Sequence, residues 1–311
     1  MPRALEYEEI TKEYRSWFGR RRVRALQNFS LSVEYGEIFG FLGPNGAGKS
    51  TAIHLAMGFM RPSSGSGRML GQPFDHVATR RRVGFLAENV ALYHRRAEAA
   101  IRFYGGLNGL HGPALAGATH GALEAVDMQS ESGRNLGQFS RGMLQRMGLA
   151  QALVNDPELL ILDEPTSALD PAARVSIREL LLRFRSQGKT VFLSSHLLSE
   201  VELVCDRVAI LSHGHVVRTG TLNDMLEATD QVEIVAQSVP PALFANSAVE
   251  GPRLHFAVPK SLQREAIERV WSAGGEVVSV NPVRRSLEEL FLELTNPDAA
   301  PLKLTEPRAG K

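Results

Sequence analysis

Gly43-Pro44-Asn45-Gly46-Ala47-Gly48-Lys49-Ser50-Thr51 combines glycines, a lysine and adjacent hydroxyls in one short run. The run fits the pattern G-x-x-x-x-G-K-[ST]. Gly43, Gly46 and Gly48 let the backbone turn tightly, so successive N–H groups point inward as an anion nest. Lys49 can then reach the outer phosphates of a bound nucleotide, and the Ser50 hydroxyl can ligate Mg²⁺. A second chemical pair is Asp163-Glu164, directly after Leu159-Leu160-Ile161-Leu162. An acidic pair behind an apolar run is unremarkable alone. Beside a phosphate loop it becomes a magnesium and water site. Asp163 holds the metal, usually through water, and Glu164 orients and deprotonates the water that attacks a γ-phosphate. His196 is either structural or a γ-phosphate contact, since it ends a third apolar run and would face the same crevice. His213 and His215 are too isolated to argue a metal site.

These residues need a particular framework. Ile38 to Leu42 reads as a buried strand, and Ser50 to Met57 as the first turns of a helix. A strand feeding a helix N-terminus sets the positive end of the helix dipole against phosphate. Leu159 to Leu162 and Lys189 to Ser195 read as central parallel strands buried on both faces. Leu5 to Tyr14 and Val23 to Val33 read as strands of an opening sheet, and Val83 to Leu86 as a short buried strand followed by Glu88. Tyr14, upstream of the phosphate loop, either stacks on adenine or is a strand-end aromatic. Arg15 to Arg22 is either a hairpin tip with solvated arginines or a basic, aromatic patch facing lipid headgroups or a partner. Arg61 to Gly67 reads as a loop. From Leu92 to about Leu136 the pattern is that of several short helices. A longer apolar-periodic helix follows Phe139-Ser140-Arg141-Gly142-Met143 and stops at Asp156-Pro157. Ser167-Ala168-Leu169-Asp170 is a turn, with Pro171 opening another helix. Val208 to Leu211 and Val216 to Arg218 form a hairpin.

Composition narrows the possibilities. A chain of 311 residues, 43% hydrophobic and 22% charged, fits ordinary globular material of about two domains. Thirty-five Lys and Arg against 34 Asp and Glu leave a net charge of +1, so no overall field favours nucleic acid or an anionic membrane. The single cysteine, Cys205, excludes an internal disulfide and fits a reducing compartment; its apolar surroundings predict a small core residue. The charged stretch Met1 to Tyr14 has no signal-peptide pattern. No run of about 18 apolar residues is present to span a bilayer, so a membrane role must come through a partner.

Taken together, residues 5–223 closely resemble the ATP-binding cassette, the motor subunit of ABC transporters. The resemblance is carried by Gly43–Thr51 (Walker A), Leu159–Glu164 (Walker B) and Ser167–Asp170 (the D-loop). Ser140 with Gly142 and the trailing Gln145-Arg146 (the signature) and His196 (the switch histidine) complete it. The resemblance implies that Tyr14 stacks on adenine, that Gly43 to Thr51, Ser140, Gly142 and Asp170 bind ATP, and that Ser50, Glu88 and Asp163 hold Mg²⁺. It assigns catalysis to Lys49, Glu164 and His196. Two departures stand out. The signature is usually Leu-Ser-Gly-Gly-Gln, and here Arg141 brings a charge to its third position. The Q-loop usually carries Gln, and here Glu88 stands there; a carboxylate binds Mg²⁺ more strongly but cannot donate a hydrogen bond. Both departures are similar to those of the bacterial branch that exports drugs, polysaccharides or lipids.

The implied fold is an α/β P-loop NTPase cassette over residues 1–223. It has a mostly parallel sheet flanked by helices, an N-terminal antiparallel β subdomain and a helical signature subdomain at about 89–155. Residues 224–296, with three short strands (Val232–Ala236, Leu254–Val258, Glu276–Val280) and two helices (Ser261–Trp271, Ser286–Leu294), read as a small α+β accessory domain for packing, dimer support or ligand sensing. Residues 297–311 read as a disordered tail. The implied function is an ATPase that works as a head-to-tail homodimer and powers a separate integral membrane permease. Its expected place is cytoplasmic, peripheral on the inner face of the cell membrane. A soluble cassette ATPase of translation or DNA repair is the alternative. Such proteins usually carry two cassettes in one chain or a long coiled-coil insertion, neither of which is seen here, and net +1 gives no nucleic-acid footprint. A P-loop GTPase is disfavoured by the missing Asn-Lys-x-Asp signature, and a binding-only module by the presence of Lys49 and Glu164.

Overall fold

The structure, a computed structural model, describes residues 3–15, 22–93, 95–167, 169–226, 228–244, 247–284 and 286–295. Most of the basic stretch Arg15 to Arg22, Ala168 of the turn before Asp170 and the segment 297–311 lie outside them. The chain divides into two compact units, Met1–Leu222 and Asn223–Lys311.

The first unit opens with β1 (Arg3–Arg15) and β2 (Arg22–Glu34), followed by β3 (Ile38–Leu42), helix α1 (Lys49–Ala56), β4 (Ser64–Met69), β5 (Gln72–Pro73) and β6 (Val83–Leu86). Helices α2 (Ala97–Leu107), α3 (Gly112–Ala125) and α4 (Arg141–Leu153) come next. Then β7 (Leu159–Asp163), α5 (Pro171–Ser186), β8 (Thr190–Ser195), α6 (Leu198–Val204), β9 (Arg207–Ser212) and β10 (His215–Thr221) complete this unit, and the short α7 (Leu222–Met225) begins at its last residue. An antiparallel sheet has the order β2-β1-β4-β5. The main sheet has the order β10-β9-β3-β8-β7-β6, parallel from β9 to β6 with β10 antiparallel at its edge.

Strands β3, β7 and β8 are buried at every position, which is why their sequences are continuous apolar runs and not alternations. One face of the main sheet meets the antiparallel sheet and α1 in an aromatic core. Tyr7 sits edge-on to Phe29 (5.0 Å between ring centres) and Phe74 (5.1 Å), and Phe29 meets Phe41 at 5.9 Å. The Tyr7 hydroxyl, fully enclosed, donates to the Ala52 carbonyl at 3.1 Å. Burial pushes its pKa far above the ordinary phenol value, so it stays a neutral donor. Helix α5 buries Ile177, Leu180, Leu181 and Phe184, and α6 buries Val201 and Val204. Cys205 is buried and free, as its apolar setting predicts.

The expected loop at Arg61 to Gly67 is wrong in part. Ser64–Met69 is strand β4, paired antiparallel to β1 with Leu5 opposite Met69 and Tyr7 opposite Gly67. Its small residues answer to crowding and not to a turn. A Cβ on Gly67 would stand 2.1 Å from the Phe74 ring, and one on Gly65 (φ +82°) 2.4 Å from the Glu9 carbonyl. Gly65 lies opposite a bulge where Glu9 itself takes a left-handed φ of 50°.

The second unit holds β11 (Ala228–Gln237), β12 (Ala248–Glu250), β13 (Arg253–Pro259), α8 (Gln263–Ser272), β14 (Glu276–Arg284) and α9 (Leu287–Thr295). Its sheet has the antiparallel order β12-β13-β11-β14. Val232, Ile234, Ala236, Leu254 and Phe256 on the sheet pack with Ala266 and Val270 of α8 into a separate core. Three strands were expected from sequence; β12 is a short, fully exposed edge strand without an apolar signal.

Candidate functional site

Parallel pairing makes the site. Leu42 of β3 stands beside Ser195 of β8, Asp163 of β7 beside Ser194, and Leu86 of β6 beside Leu162. Strands β3, β8, β7 and β6 therefore end along one edge, and the residues that follow each strand converge there. The phosphate loop leaves β3, Glu88 follows β6, Asp163-Glu164 ends β7 and His196 follows β8. This is the carboxyl-end crevice where open α/β sheets bind ligands.

The loop itself is held by backbone contacts. The Ala47 N–H donates to the Pro44 carbonyl at 3.1 Å, and the Gly214 N–H donates to the Ala47 carbonyl at 3.0 Å. Gly48 is the N-cap of α1 at φ 111°, and a Cβ there would lie 2.4 Å from the Ala25 carbonyl. Asn45, Gly46 and Ser50 are exposed at the mouth, while Gly43 and Ala47 are buried beneath. Lys49 begins α1, is buried, and donates from Nζ to the Gly43 carbonyl and, at 3.4 Å, to the Pro44 carbonyl. Burial lowers its pKa below the ordinary lysine value; Glu164, Asp163 and Glu88 act in the opposite sense.

Across the crevice, Asp163 and Glu164 are both buried. Asp163 Oδ1 accepts from the Ser194 hydroxyl. Glu164 sits at φ 53°, a left-handed conformation that turns the chain sharply off the strand. Its N–H donates to the Ser194 carbonyl and to Ser194 Oγ, each at 3.2 Å. Its carboxylate Oε2 lies 2.6 Å from His196 Nδ1 and accepts from the His196 N–H at 3.4 Å. Gln145 of α4 donates from Nε2 to the Pro165 carbonyl at 3.2 Å and the Glu164 carbonyl at 3.5 Å, tying the signature helix to this turn.

The remaining candidates lie further out. Ser140 is the N-cap of α4 and accepts from the Met143 N–H at 3.2 Å. Ser140 and Arg141 are exposed, and Gly142 is partly so. Asp170 caps α5, accepting from the Ala173 N–H at 2.8 Å. Tyr14 is 40% exposed; its hydroxyl lies 3.4 Å from Thr51 Oγ1 and donates to Met60 sulfur, and the Lys12 ammonium stands 5.5 Å from its ring centre. Glu88 is exposed.

One residue, Ser194, escaped the sequence reading as part of the site, and a second, Gln145, was named there only within the signature. Ser194 serves both acidic residues across the β7–β8 ladder, and the only hint of it is a hydroxyl closing an apolar strand. Gln145 is a buried amide on an apolar helix face. Ser194→Ala should lower stability by about 1–3 kcal/mol, because it strips a buried carboxylate and a buried N–H of one partner. Thermal unfolding read beside ATP turnover checks this, and unchanged values of both would remove Ser194 from the site.

The donor set fits a magnesium nucleotide. Among the described residues the buried Lys49 ammonium donates only to backbone carbonyls, which matches an anionic phosphate. The Ser50 hydroxyl and the carboxylates of Asp163 and Glu88 are hard oxygen donors of the kind Mg²⁺ prefers. Among the described residues no group of three or more His, Cys, Asp or Glu could hold a metal alone.

Comparison with known proteins agrees with this chemistry. The ABC transporter family profile matches residues 26–167. An uncharacterised ABC transporter ATP-binding protein of Nostoc sp. is 38% identical over 304 residues, covering 94% of this chain and 89% of the relative. The Nod factor export ATP-binding protein I of Cupriavidus metallidurans is 32% identical, covering 87% and 92% respectively. Among solved structures, a dimeric ATP-binding cassette in a post-hydrolysis state bound to ADP and Pi superposes with a TM-score of 0.65 at 25% identity, covering 70% of this chain and 98% of that one.

Proposed function

The chain belongs to the family of ABC transporter ATP-binding proteins, whose cassette binds and hydrolyses ATP to power transport, and on that premise we propose which residues do the work. The loop from Gly43 to Thr51 holds the phosphates, with Lys49 neutralising their charge. Glu164 takes a proton from the attacking water as its oxygen bonds to the γ-phosphorus; the bond from the β–γ bridging oxygen to that phosphorus breaks, its electron pair stays on ADP, and ADP and phosphate leave. His196 holds the Glu164 carboxylate in position and meets the γ-phosphate. Ser50, Asp163 and Glu88 would hold Mg²⁺, which when bound would supply charge neutralisation. Tyr14 stacks on the adenine.

One phosphate loop and one signature per chain argue for a homodimer with ATP between Lys49 of one protomer and Ser140 and Gly142 of its partner, Asp170 lying near the seam. The exposed N-terminus of α4 supports this, since helix N-termini attract phosphate. Membership of the family supports action through a separate permease, with the chain on the cytoplasmic face; no helix among the described residues is long and apolar enough to cross a membrane. The export named for the Cupriavidus relative supports export of an unidentified cargo. The unit from Asn223 onward, with its own core, acts as an accessory domain.

The observation that carries this reading is the 2.6 Å contact between Glu164 and His196 on the crevice edge that also bears Lys49. Its test is phosphate release by the purified chain with ATP and Mg²⁺. Turnover that is absent, or that GTP supports and ATP does not, contradicts it.

A further inference from the structure

Glu88 occupies a defined place in the crevice. Strand β6 pairs with β7 from Val83 beside Leu159 to Leu86 beside Leu162. Glu88 lies two residues beyond Leu86, as Glu164 lies two beyond Leu162, so both leave the sheet at one edge. Glu88 is exposed, and among the described residues it makes no hydrogen bond or ion pair that would fix it elsewhere. Its charge acts on the Lys49 ammonium together with those of Asp163 and Glu164.

The charge balance follows. One buried ammonium faces three carboxylates, where a neutral amide at position 88 would leave two. Among the described residues these carboxylates are not part of a group of three or more that could hold a metal ion by themselves. A bare triphosphate entering this field meets repulsion from every carboxylate. A triphosphate carrying a divalent cation meets less, and Glu88 then gains a ligand that a glutamine would bind more weakly.

We propose that Glu88 makes nucleotide binding conditional on the divalent cation, admitting the metal–triphosphate complex and rejecting the bare triphosphate. This rests on the assignment of the nucleotide site made under Proposed function. The effect is a thermodynamic coupling between one side chain and the cation, and it exists before any chemistry.

Titration calorimetry of the full chain with ATP, once with EDTA and once with Mg²⁺, tests it. The measurement is made on the natural protein, Glu88→Gln and Glu88→Asp. Mg²⁺ should raise the natural protein's affinity by a factor about tenfold larger than it raises that of Glu88→Gln. Glu88→Gln should also bind metal-free ATP more tightly than the natural protein, and Glu88→Asp, which keeps the charge, should retain the metal dependence. An equal Mg²⁺ enhancement in the natural protein and Glu88→Gln overturns the proposal. Loosening of the loop alone would weaken both conditions alike, leave their ratio unchanged, and count equally against it. Failure of the natural protein to bind ATP in either buffer would instead overturn the nucleotide site itself.

Discussion

Glu164→Gln is expected to lower ATP turnover about 100- to 1,000-fold while leaving ATP binding intact, within the range that general-base removal produces. Gln has the shape of Glu, so the turn at φ 53° and the backbone bonds to Ser194 and Gln145 survive. The amide still reaches His196 Nδ1, but it cannot take a proton from water. A dimer held by ATP then persists, because the step that dissolves it is the step removed. Sedimentation with ATP and Mg²⁺ should show a dimer for this variant and a lesser dimer fraction for the natural protein. Undiminished phosphate release in Glu164→Gln would exclude Glu164 as the base.

Lys49→Met should cost about 100-fold or more in ATP affinity and raise the melting temperature of the nucleotide-free protein. The affinity loss follows from removing the one buried ammonium at the loop, since charge-assisted bonds to phosphate are the strong ones. The stability gain follows from the lowered pKa of Lys49, which means that its charge is paid for by the fold. The lysine penalty is fully present below the folded pKa, where both folded and unfolded chains carry the proton. As pH rises from the folded pKa toward the higher unfolded value, the unfolded chain holds more protons, so stability increases. Over the same window ATP affinity should fall, because the uncharged amine no longer attracts phosphate. Calorimetry and thermal unfolding across alkaline pH check both directions. Equal ATP affinity in Lys49→Met and the natural protein would remove Lys49 from the site.

The crevice edge was readable because its parts are local in the chain. A glycine loop between an apolar run and a helix, and an acidic pair closing a second run, each announce themselves within ten residues or so. Parallel strands buried on both faces leave unbroken apolar runs, and β3, β7 and β8 do so. What stayed hidden depends on neighbours distant in sequence. Ser64 to Gly67 has the composition of a turn, yet Phe74 and the bulge at Glu9 require small residues in a strand there. Ser194 reaches Asp163 and Glu164 only through the β7–β8 pairing, which no local pattern reveals. In the second unit β11 and β14 run beyond their apolar centres, through the exposed polar residues Asp230 and Gln231 of β11 and Asn281 of β14, which read as loop.

The central claim is that each ATP is shared by Lys49 of one chain and Ser140 of another, and mixing two defective variants tests it most directly. In a Glu164→Gln background, Lys49→Met should fail to hold nucleotide, and Ser140→Arg should bind it without dimerising. Neither alone should sediment as a dimer with ATP and Mg²⁺. Their equimolar mixture should, with a single nucleotide per dimer, because only the mixed pair assembles one complete site. A mixture that stays monomeric while the Glu164→Gln parent dimerises, or a Ser140→Arg variant that dimerises as well as that parent, would contradict the account.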